Sequence, residues 1–260
     1  MHAYTVHTQR GWRWLAEGFA LFRRNPPLMM FLVVGYWMTL VLINLFPIIG
    51  QIAAYLCMPA LTISVLNGCR SIDRGDGTDF TLLLSGFQEN LPALLKLGAF
   101  YLLASLCILG FTVWVDGGKL LDLMLSGKRP DRNILTAPEL ATAAQIALLL
   151  MIPVLMAIWF APLLAAWRAV PPTKALFFSF VACWRNWKAF LAYGLNVAFW
   201  SAIVPGFILG LALWISEPFF PTFFAGLSLV MFLVFLPSLF ASFYISAEDI
   251  FGLGDRAAKS

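Results

Sequence analysis

The side chains that carry most enzyme chemistry are few in this sequence and stand apart from one another. Its only two histidines, His2 and His7, lie at the N-terminus, so the later serines and cysteines have no histidine base nearby in sequence. No glycine-rich phosphate loop and no metal-ligand spacing occurs. The carboxylates of Asp73, Asp76 and residues 248–249 would suit a cation, although solvated helix ends explain them more simply. The sequence therefore predicts no catalytic residue, no metal site and no cofactor.

Amide and hydroxyl side chains are the main polar groups in the long apolar stretches of the chain. Apart from Lys96, near the start of one stretch, no Asp, Glu, Lys, Arg or His occurs inside them. Such residues usually mark proton relays and ion paths, so this pattern argues against a coupled pump or transporter. Most amides and hydroxyls are expected to bond between helices. Asn44 and Asn196 are the intramembrane polar candidates for a further role.

The elements that carry these residues are predicted to be membrane-spanning helices. The chain is 61% hydrophobic and only 12% charged, and 45 consecutive residues between Arg24 and Arg70 carry no charge. A helix crosses the hydrocarbon core with about 20 apolar residues. No stretch shows the alternating polarity of a barrel strand. The charge-free runs therefore predict an all-α polytopic protein with six spans, near 28–46, 49–69, 94–115, 140–166, 189–214 and 219–246.

The lysines and arginines are divided unequally between the two sides of the membrane. With six spans, 13 of the 17 fall on the side of the termini, whereas the other four lie in one loop at 116–139. The positive-inside rule then predicts that both termini lie in the cytoplasm. Because this topology accounts for the net charge of +4, no nucleic-acid partner is needed to explain it.

Three stretches, 15–36, 80–101 and 176–193, each resemble an elbow: a short aromatic amphipathic helix, a corner asparagine and the start of an apolar helix. The corner residues are Asn25, Asn90 and Asn186. An asparagine at such a corner caps the next helix or bonds a neighbouring backbone group. The elbows are predicted to seat the protein at the membrane surface.

The first elbow shows the expected amphipathic pattern over residues 11–24. Trp12, Leu15, Phe19 and Phe22 share one helical face, and Arg13, Glu17, Ala20 and Arg24 share the opposite one. Arg13 and Glu17 are also spaced for an ion pair. Such a helix suits the headgroups of an anionic leaflet, whereas the alternative is that it packs under the bundle. The residues expected at lipid headgroups are Trp12, Arg13, Arg23, Arg24, Arg168, Trp184, Arg185, Trp187 and Lys188.

A proline recurs in each returning span, at Pro59, Pro162 and Pro237. With the elbows, these prolines predict three parallel hairpin repeats, at about 11–75, 76–170 and 171–250, within one membrane domain over 1–260. Chance recurrence in a proline-rich membrane protein is the alternative. Each proline frees a carbonyl one turn earlier, at Tyr55, Ile158 and Leu233, and these would line a groove if they faced one axis. Otherwise they only kink the spans, which is the favoured interpretation.

A family resemblance is carried by two segments of the chain. They are GWRWLAEGFALFRRNP near the start and APLLAAWRAVPPTKALFFSFVACWRNWKAFLAYG at 161–194. With them the chain resembles a family of uncharacterised six-spanning inner-membrane proteins of Gram-negative bacteria. The resemblance implies a location and a fold, and it brings no assigned activity or functional residues.

Two functions are compatible with this sequence. The first is a non-enzymatic envelope component that contacts lipid or a protein partner. The alternative is an uncoupled carrier or channel for a small apolar or amphipathic solute. The expected partners are lipids of the anionic cytoplasmic leaflet, with a protein partner or a second copy left open. Residues 1–10 are polar and are expected to be loose.

Overall fold

A computed structural model describes residues 3–76, 79–126, 137–215 and 217–252, and within these ranges the chain is helical with no strands. Six helices are long and apolar enough to cross a membrane, which confirms the predicted all-α, six-span fold. The spans, numbered 1 to 6, are Pro26–Asn44, Ile49–Arg74, Leu91–Asp116, Pro138–Trp167, Trp187–Ile215 and Phe220–Phe251.

Several spans are built from more than one helical segment. The α-helices are α1 (Thr8–Phe22), α2 (Pro26–Asn44), α3 (Ile49–Arg74), α4 (Leu91–Asp116), α5 (Lys119–Ser126), α6 (Pro138–Ile158), α7 (Ala161–Trp167), α8 (Pro172–Arg185), α9 (Trp187–Ala198), α10 (Val204–Ile215), α11 (Phe220–Val230) and α12 (Leu236–Phe251). Short 3₁₀ helices cover Phe80–Phe87 and Glu217–Phe219, and π-helical segments cover Phe199–Ile203 and Met231–Phe235.

Helix ends follow the local sequence. Proline stands in the first turn of α2, α4, α6 and α8, where its missing N–H costs no helical hydrogen bond. Helix α3 ends at Gly75 (φ 82°) and α12 ends at Gly252 (φ 59°), both left-handed positions that favour glycine. Spans 2 and 6 continue past their predicted apolar limits, so the charged residues near 70–74 and 248–249 are helical.

Each elbow helix packs against a hairpin other than the one that follows it in the sequence. The 3₁₀ helix Phe80–Phe87 packs on spans 1 and 2, and α8 packs on span 4. Helix α1 packs on α9 of span 5 and on α12 of span 6. Each elbow therefore lies on the hairpin before it, and the first elbow closes the ring against the last hairpin. The repeat itself stays a prediction.

Two elbow glycines contact the returning spans at the same place relative to a proline. Gly18 of α1 lies against the Ser238 oxygen and the Ser242 nitrogen, the first and fifth residues after Pro237. Gly86 of the second elbow lies against the backbone of residues 60 and 64, the first and fifth after the proline of span 2. At both positions a methyl group would meet backbone atoms, so glycine permits the close approach.

Helix α1 buries Leu15 and Phe22 of the predicted aromatic face, together with Trp14, which lies outside that face. Trp14 is fully buried against the rings of Phe190 and Tyr193, whereas Trp12 and Phe19 are 49% and 42% exposed. A single aromatic stripe is expected for a helix at one boundary, but α1 lies between two spans and buries a wider face. The predicted ion pair is also wrong, because Glu17 pairs with Arg10, at 2.8 Å, instead of Arg13.

The N-terminal segment is held in place, so the prediction that it is loose is wrong for residues 3–10. The Tyr4 N–H donates to the Ile250 carbonyl at 2.8 Å. The Asn186 side chain accepts from the Val6 N–H at 2.8 Å and donates to the Tyr4 carbonyl at 3.0 Å. One amide side chain thus pairs with an extended backbone as a neighbouring strand would. His7 caps α1 through a bond from the Gln9 N–H, and His2 lies outside the described residues.

The Gly18 contact can be tested by adding one methyl group. We expect Gly18→Ala to lower the free energy of unfolding by about 1–3 kcal/mol, because the methyl would lie 2.5 Å from the Ser242 nitrogen. The matched control is Gly110→Ala, a helical glycine with open space around it. Unfolding in detergent measures both variants, and equal stability of the two would contradict this packing.

The Asn186 contact predicts a local effect at the N-terminus. Asn186→Ala leaves the Val6 N–H and the Tyr4 carbonyl without their partner, so we expect the free energy of unfolding to fall by about 1–3 kcal/mol. Amide hydrogen exchange at residues 3–7 should become faster than in the wild type. Asn44→Ala serves as control because Asn44 is exposed and bonds only within its own helix, and unchanged exchange in the Asn186 variant would refute the contact.

Candidate functional site

An apolar cleft of about 500 Å³ lies between α1 and the last two spans. Its walls come from elements that are distant in sequence but meet at this point. The lining residues are Trp12, Leu15, Ala16 and Phe19 of α1, Asn196 and Trp200 of span 5, and Val230, Met231, Val234, Phe235 and Ser238 of span 6.

The cleft exists because spans 5 and 6 do not pack along their whole length. Their closest backbone approach is between α10 and α11, while α1 occupies the space between α9 and α12. A π-helical segment lies in each span beside the cleft, at Phe199–Ile203 and Met231–Phe235. Such segments are rare and are often found at functional sites. The cleft is therefore bounded by α1 at one end and by the meeting of the two spans at the other.

Two polar side chains interrupt the apolar lining. Asn196 is 6% exposed, and its Nδ2 donates to the Trp12 carbonyl at 3.0 Å. Its Oδ1 receives no donor from the residues that the structure describes. The Ser238 hydroxyl donates to the Val234 carbonyl of its own helix at 2.7 Å. The cleft thus offers one amide oxygen in otherwise apolar surroundings.

The cleft opens towards the outer surface of the bundle. Trp12 and Trp200 at its edge are each 49% exposed, and Phe19 is also exposed. The Arg23 guanidinium lies 5.5 Å from the centre of the Phe19 ring, a cation–π distance. A positive charge therefore stands beside an apolar opening on the lateral surface.

An ionic cluster fixes α1 to the end of span 6. The Arg10 guanidinium contacts the Asp249 carboxylate at 2.6 Å and the Glu17 carboxylate at 2.8 Å. The Trp14 indole N–H donates to the same Asp249 oxygen at 2.7 Å. Partial burial opposes the charge of Arg10, but the bonds and attraction of Asp249 and Glu17 outweigh it and raise the pKa of Arg10.

A second, smaller cavity of about 240 Å³ lies where the three hairpins meet. Its lining includes Tyr55 and Pro59 of span 2, Ile158 and Pro162 of span 4, Tyr101 of span 3 and Phe243 of span 6. Two of the three proline segments thus share one cavity, whereas Leu233 and Pro237 are not among its lining residues. Whether the freed carbonyls of Tyr55 and Ile158 line this cavity stays a prediction.

The nine residues predicted at lipid headgroups are all exposed: Trp12, Arg13, Arg23, Arg24, Arg168, Trp184, Arg185, Trp187 and Lys188. Some have protein contacts as well, since Arg24 pairs with Asp73 at 3.2 Å and Lys188 lies 5.7 Å from the Trp187 ring. Their contact with headgroups stays a prediction. Only Trp12 of this set also lines the cleft.

The corner asparagines use both of the bonding modes expected for them. The Asn25 side chain caps α2 by accepting from the Leu28 N–H at 3.3 Å. Asn90 donates to the Ala165 carbonyl at 3.2 Å, and Asn186 holds the N-terminal segment. Asn44 is the last residue of α2, is exposed and donates to the Leu40 carbonyl, so it lies apart from Asn196 and the cleft.

Sequence reasoning found Asn196 and Trp12 but missed most of the cleft. Trp200 and Phe235 lie in π-helical segments, for which uniformly apolar sequence gives no signal. Ser238 stands directly after a recurring proline, and that position was the one available sign of its contact.

The chain is similar over 218 residues to a protein of Burkholderia thailandensis described as a probable inner membrane protein. The two are 38% identical, and the match covers 82% of this chain and 80% of the relative. No protein-family profile matches the chain, and no solved structure matches it.

Proposed function

The chain belongs to the family of this bacterial inner-membrane protein, and we propose that it is a non-enzymatic envelope component that binds a membrane lipid. The lipid's acyl chain would occupy the cleft between α1 and spans 5 and 6. The six-span fold and the inner-membrane relative agree on a multi-pass protein of the inner membrane. The proposal adds a ligand to that location.

The observation that carries the proposal is the shape and lining of the cleft. Its volume of about 500 Å³ falls within the roughly 300–1,000 Å³ typical of small-molecule sites. Nine of its eleven lining residues are aliphatic or aromatic, and its edge opens sideways. An acyl chain is the apolar molecule that a bilayer supplies at that surface, so it fits both the lining and the opening.

The charge distribution supports an orientation for this lipid. We propose that the corner end, which carries Asn25, Asn90 and Asn186, faces the cytoplasm, because 13 of the 17 basic residues lie on that side. Arg23 beside Phe19 would then stand near the anionic headgroups of the same leaflet.

An uncoupled carrier for a small apolar or amphipathic solute is the second candidate. The observation in its favour is the cavity of about 240 Å³ at the meeting of the three hairpins. A path through this cavity would use Tyr55, Tyr101 and Phe243 in place of the lateral cleft.

A substitution that fills the cleft with a larger side chain distinguishes lipid binding in the cleft from the carrier function. Ala16 lines it and Ala20 is exposed on the same helix without lining it, so Ala16→Phe and Ala20→Phe form a matched pair. We expect Ala16→Phe to lower lipid occupancy ~10-fold, the factor that corresponds to 1.4 kcal/mol, because the ring would occupy the acyl-chain volume. Native mass spectrometry after release from phosphatidylethanolamine–phosphatidylglycerol nanodiscs measures the bound lipid.

Ala20→Phe should retain lipid as the wild type does. Equal retention by both variants would contradict the cleft as the lipid site and would favour the carrier.

The proposed orientation has its own test in reporter fusions. A reporter that is active only in the cytoplasm should be active when fused after Ser260 and inactive when inserted after Lys128. The reverse pattern would overturn the orientation. Spans 4, 5 and 6 lie between the two sites, so equal activity at both sites would contradict the six-span topology.

A further inference from the structure

A polar pocket of about 500 Å³ lies at the end of span 2, beside the second elbow and apart from the cleft. The polar residues that line it are Asn67, Arg70, Ser71, Arg74, Asp76 and Asp79. It contrasts with the apolar cleft because every one of these side chains carries a charge, a hydroxyl or an amide.

Arg70 is the unusual residue of this pocket. Its guanidinium lies 5.0 Å from the centre of the Trp167 ring, and its buried Nε has no hydrogen-bond partner. In the described part of the chain, no carboxylate forms an ion pair with it. An arginine that lines a pocket without a carboxylate partner can pair with an anionic ligand through its guanidinium.

The Trp167 ring against which Arg70 lies is held in place by hydrogen bonds. The Trp167 indole N–H donates to the Asn67 Oδ1 at 2.9 Å, and the Asn67 Nδ2 donates to the Ser85 hydroxyl at 2.9 Å. Three segments of the chain therefore fix the ring on which the guanidinium lies. A guanidinium that lies on a fixed ring has less conformational freedom to lose when it binds a ligand.

The nearby carboxylates are engaged elsewhere or exposed. Asp79 accepts from the Thr81 N–H at 2.8 Å and from the Thr81 hydroxyl at 2.6 Å. Asp73 pairs with Arg24 at 3.2 Å and accepts from the Tyr244 hydroxyl at 3.4 Å. Asp76 is exposed at the rim. The C-terminal carbonyls of α3 favour the charges of Arg70 and Arg74, but they do not give the guanidinium of Arg70 a counter-ion.

We propose that this pocket binds the phosphate group of a phospholipid headgroup or of a soluble phosphate ester. The Arg70 guanidinium would supply the charge, and the Ser71 hydroxyl and the second Asn67 amide hydrogen would supply further donors. Arginine pairs with phosphate through parallel N–H donors, which makes phosphate a better match than a halide.

The test uses the full-length protein in a neutral detergent with two probes. Inorganic phosphate is titrated against chloride at equal ionic strength while the unfolding temperature is measured, since a ligand that binds the folded state raises it. In parallel, nanodiscs with phosphatidylglycerol or with diacylglycerol in its place test retention of a phospholipid. Arg70→Gln is the variant, and Lys174→Gln is the control because Lys174 is exposed and lies outside the set of residues expected at lipid headgroups.

We expect phosphate or phosphatidylglycerol to bind the wild type and Lys174→Gln alike, and to bind Arg70→Gln about tenfold more weakly, the loss typical of one charge-assisted hydrogen bond. A response to inorganic phosphate identifies a soluble ester as the source, whereas retention of phosphatidylglycerol alone identifies a headgroup. If Arg70→Gln does not fold, Ser71→Ala provides the comparison. No preference for either probe over chloride and diacylglycerol, or equal losses of binding in Arg70→Gln and Lys174→Gln, would overturn the proposal.

Discussion

Two glycines let the backbone of α1 lie directly against the last two spans, and the rest of the architecture depends on that contact. Gly11 approaches Ala189 of span 5, and Gly18 approaches Ser238 and Ser242 of span 6. Because α1 fills the space between α9 and α12, the backbones of spans 5 and 6 approach each other closely only between α10 and α11. Between α9 and α12, the Tyr193 and Ser242 hydroxyls share a hydrogen bond of 2.6 Å. The same contact joins the N-terminal helix to the last hairpin, and it leaves the cleft open between spans 5 and 6. An N-terminal helix thus shapes a site at the far end of the sequence.

Polar and apolar contacts are separated along the bundle as a bilayer requires. Arg10 with Asp249 and Arg24 with Asp73 form ion pairs near the ends of spans 6 and 2. Deeper along span 5, Asn196 is the amide that interrupts the apolar cleft lining. Charged groups are costly in hydrocarbon, so a ligand of the cleft is expected to be apolar, and recognition of charge is expected at the polar end.

Much of the fold could be predicted because membrane solvation leaves few choices. A charge-free run such as 25–69 is long enough for two crossings, and backbone hydrogen bonding in lipid demands helices. The partner of Asn186 could not be predicted, since Val6 lies 180 residues away and the bond depends on the closed ring. Trp14 instead of Trp12 is buried because α1 has two neighbours, which a one-sided amphipathic pattern cannot reveal. The π-helical walls of the cleft have no compositional sign at all.

Helix α1 lies between spans 5 and 6 and holds the cleft open, and we propose that a lipid fills this cleft. A cryo-electron microscopy map of the protein in nanodiscs of phosphatidylethanolamine and phosphatidylglycerol tests it most directly. The account predicts α1 density between α9 and α12, with elongated acyl-chain density against Trp200 and Phe235. Direct packing of spans 5 and 6, with α1 elsewhere and no cleft, would contradict it.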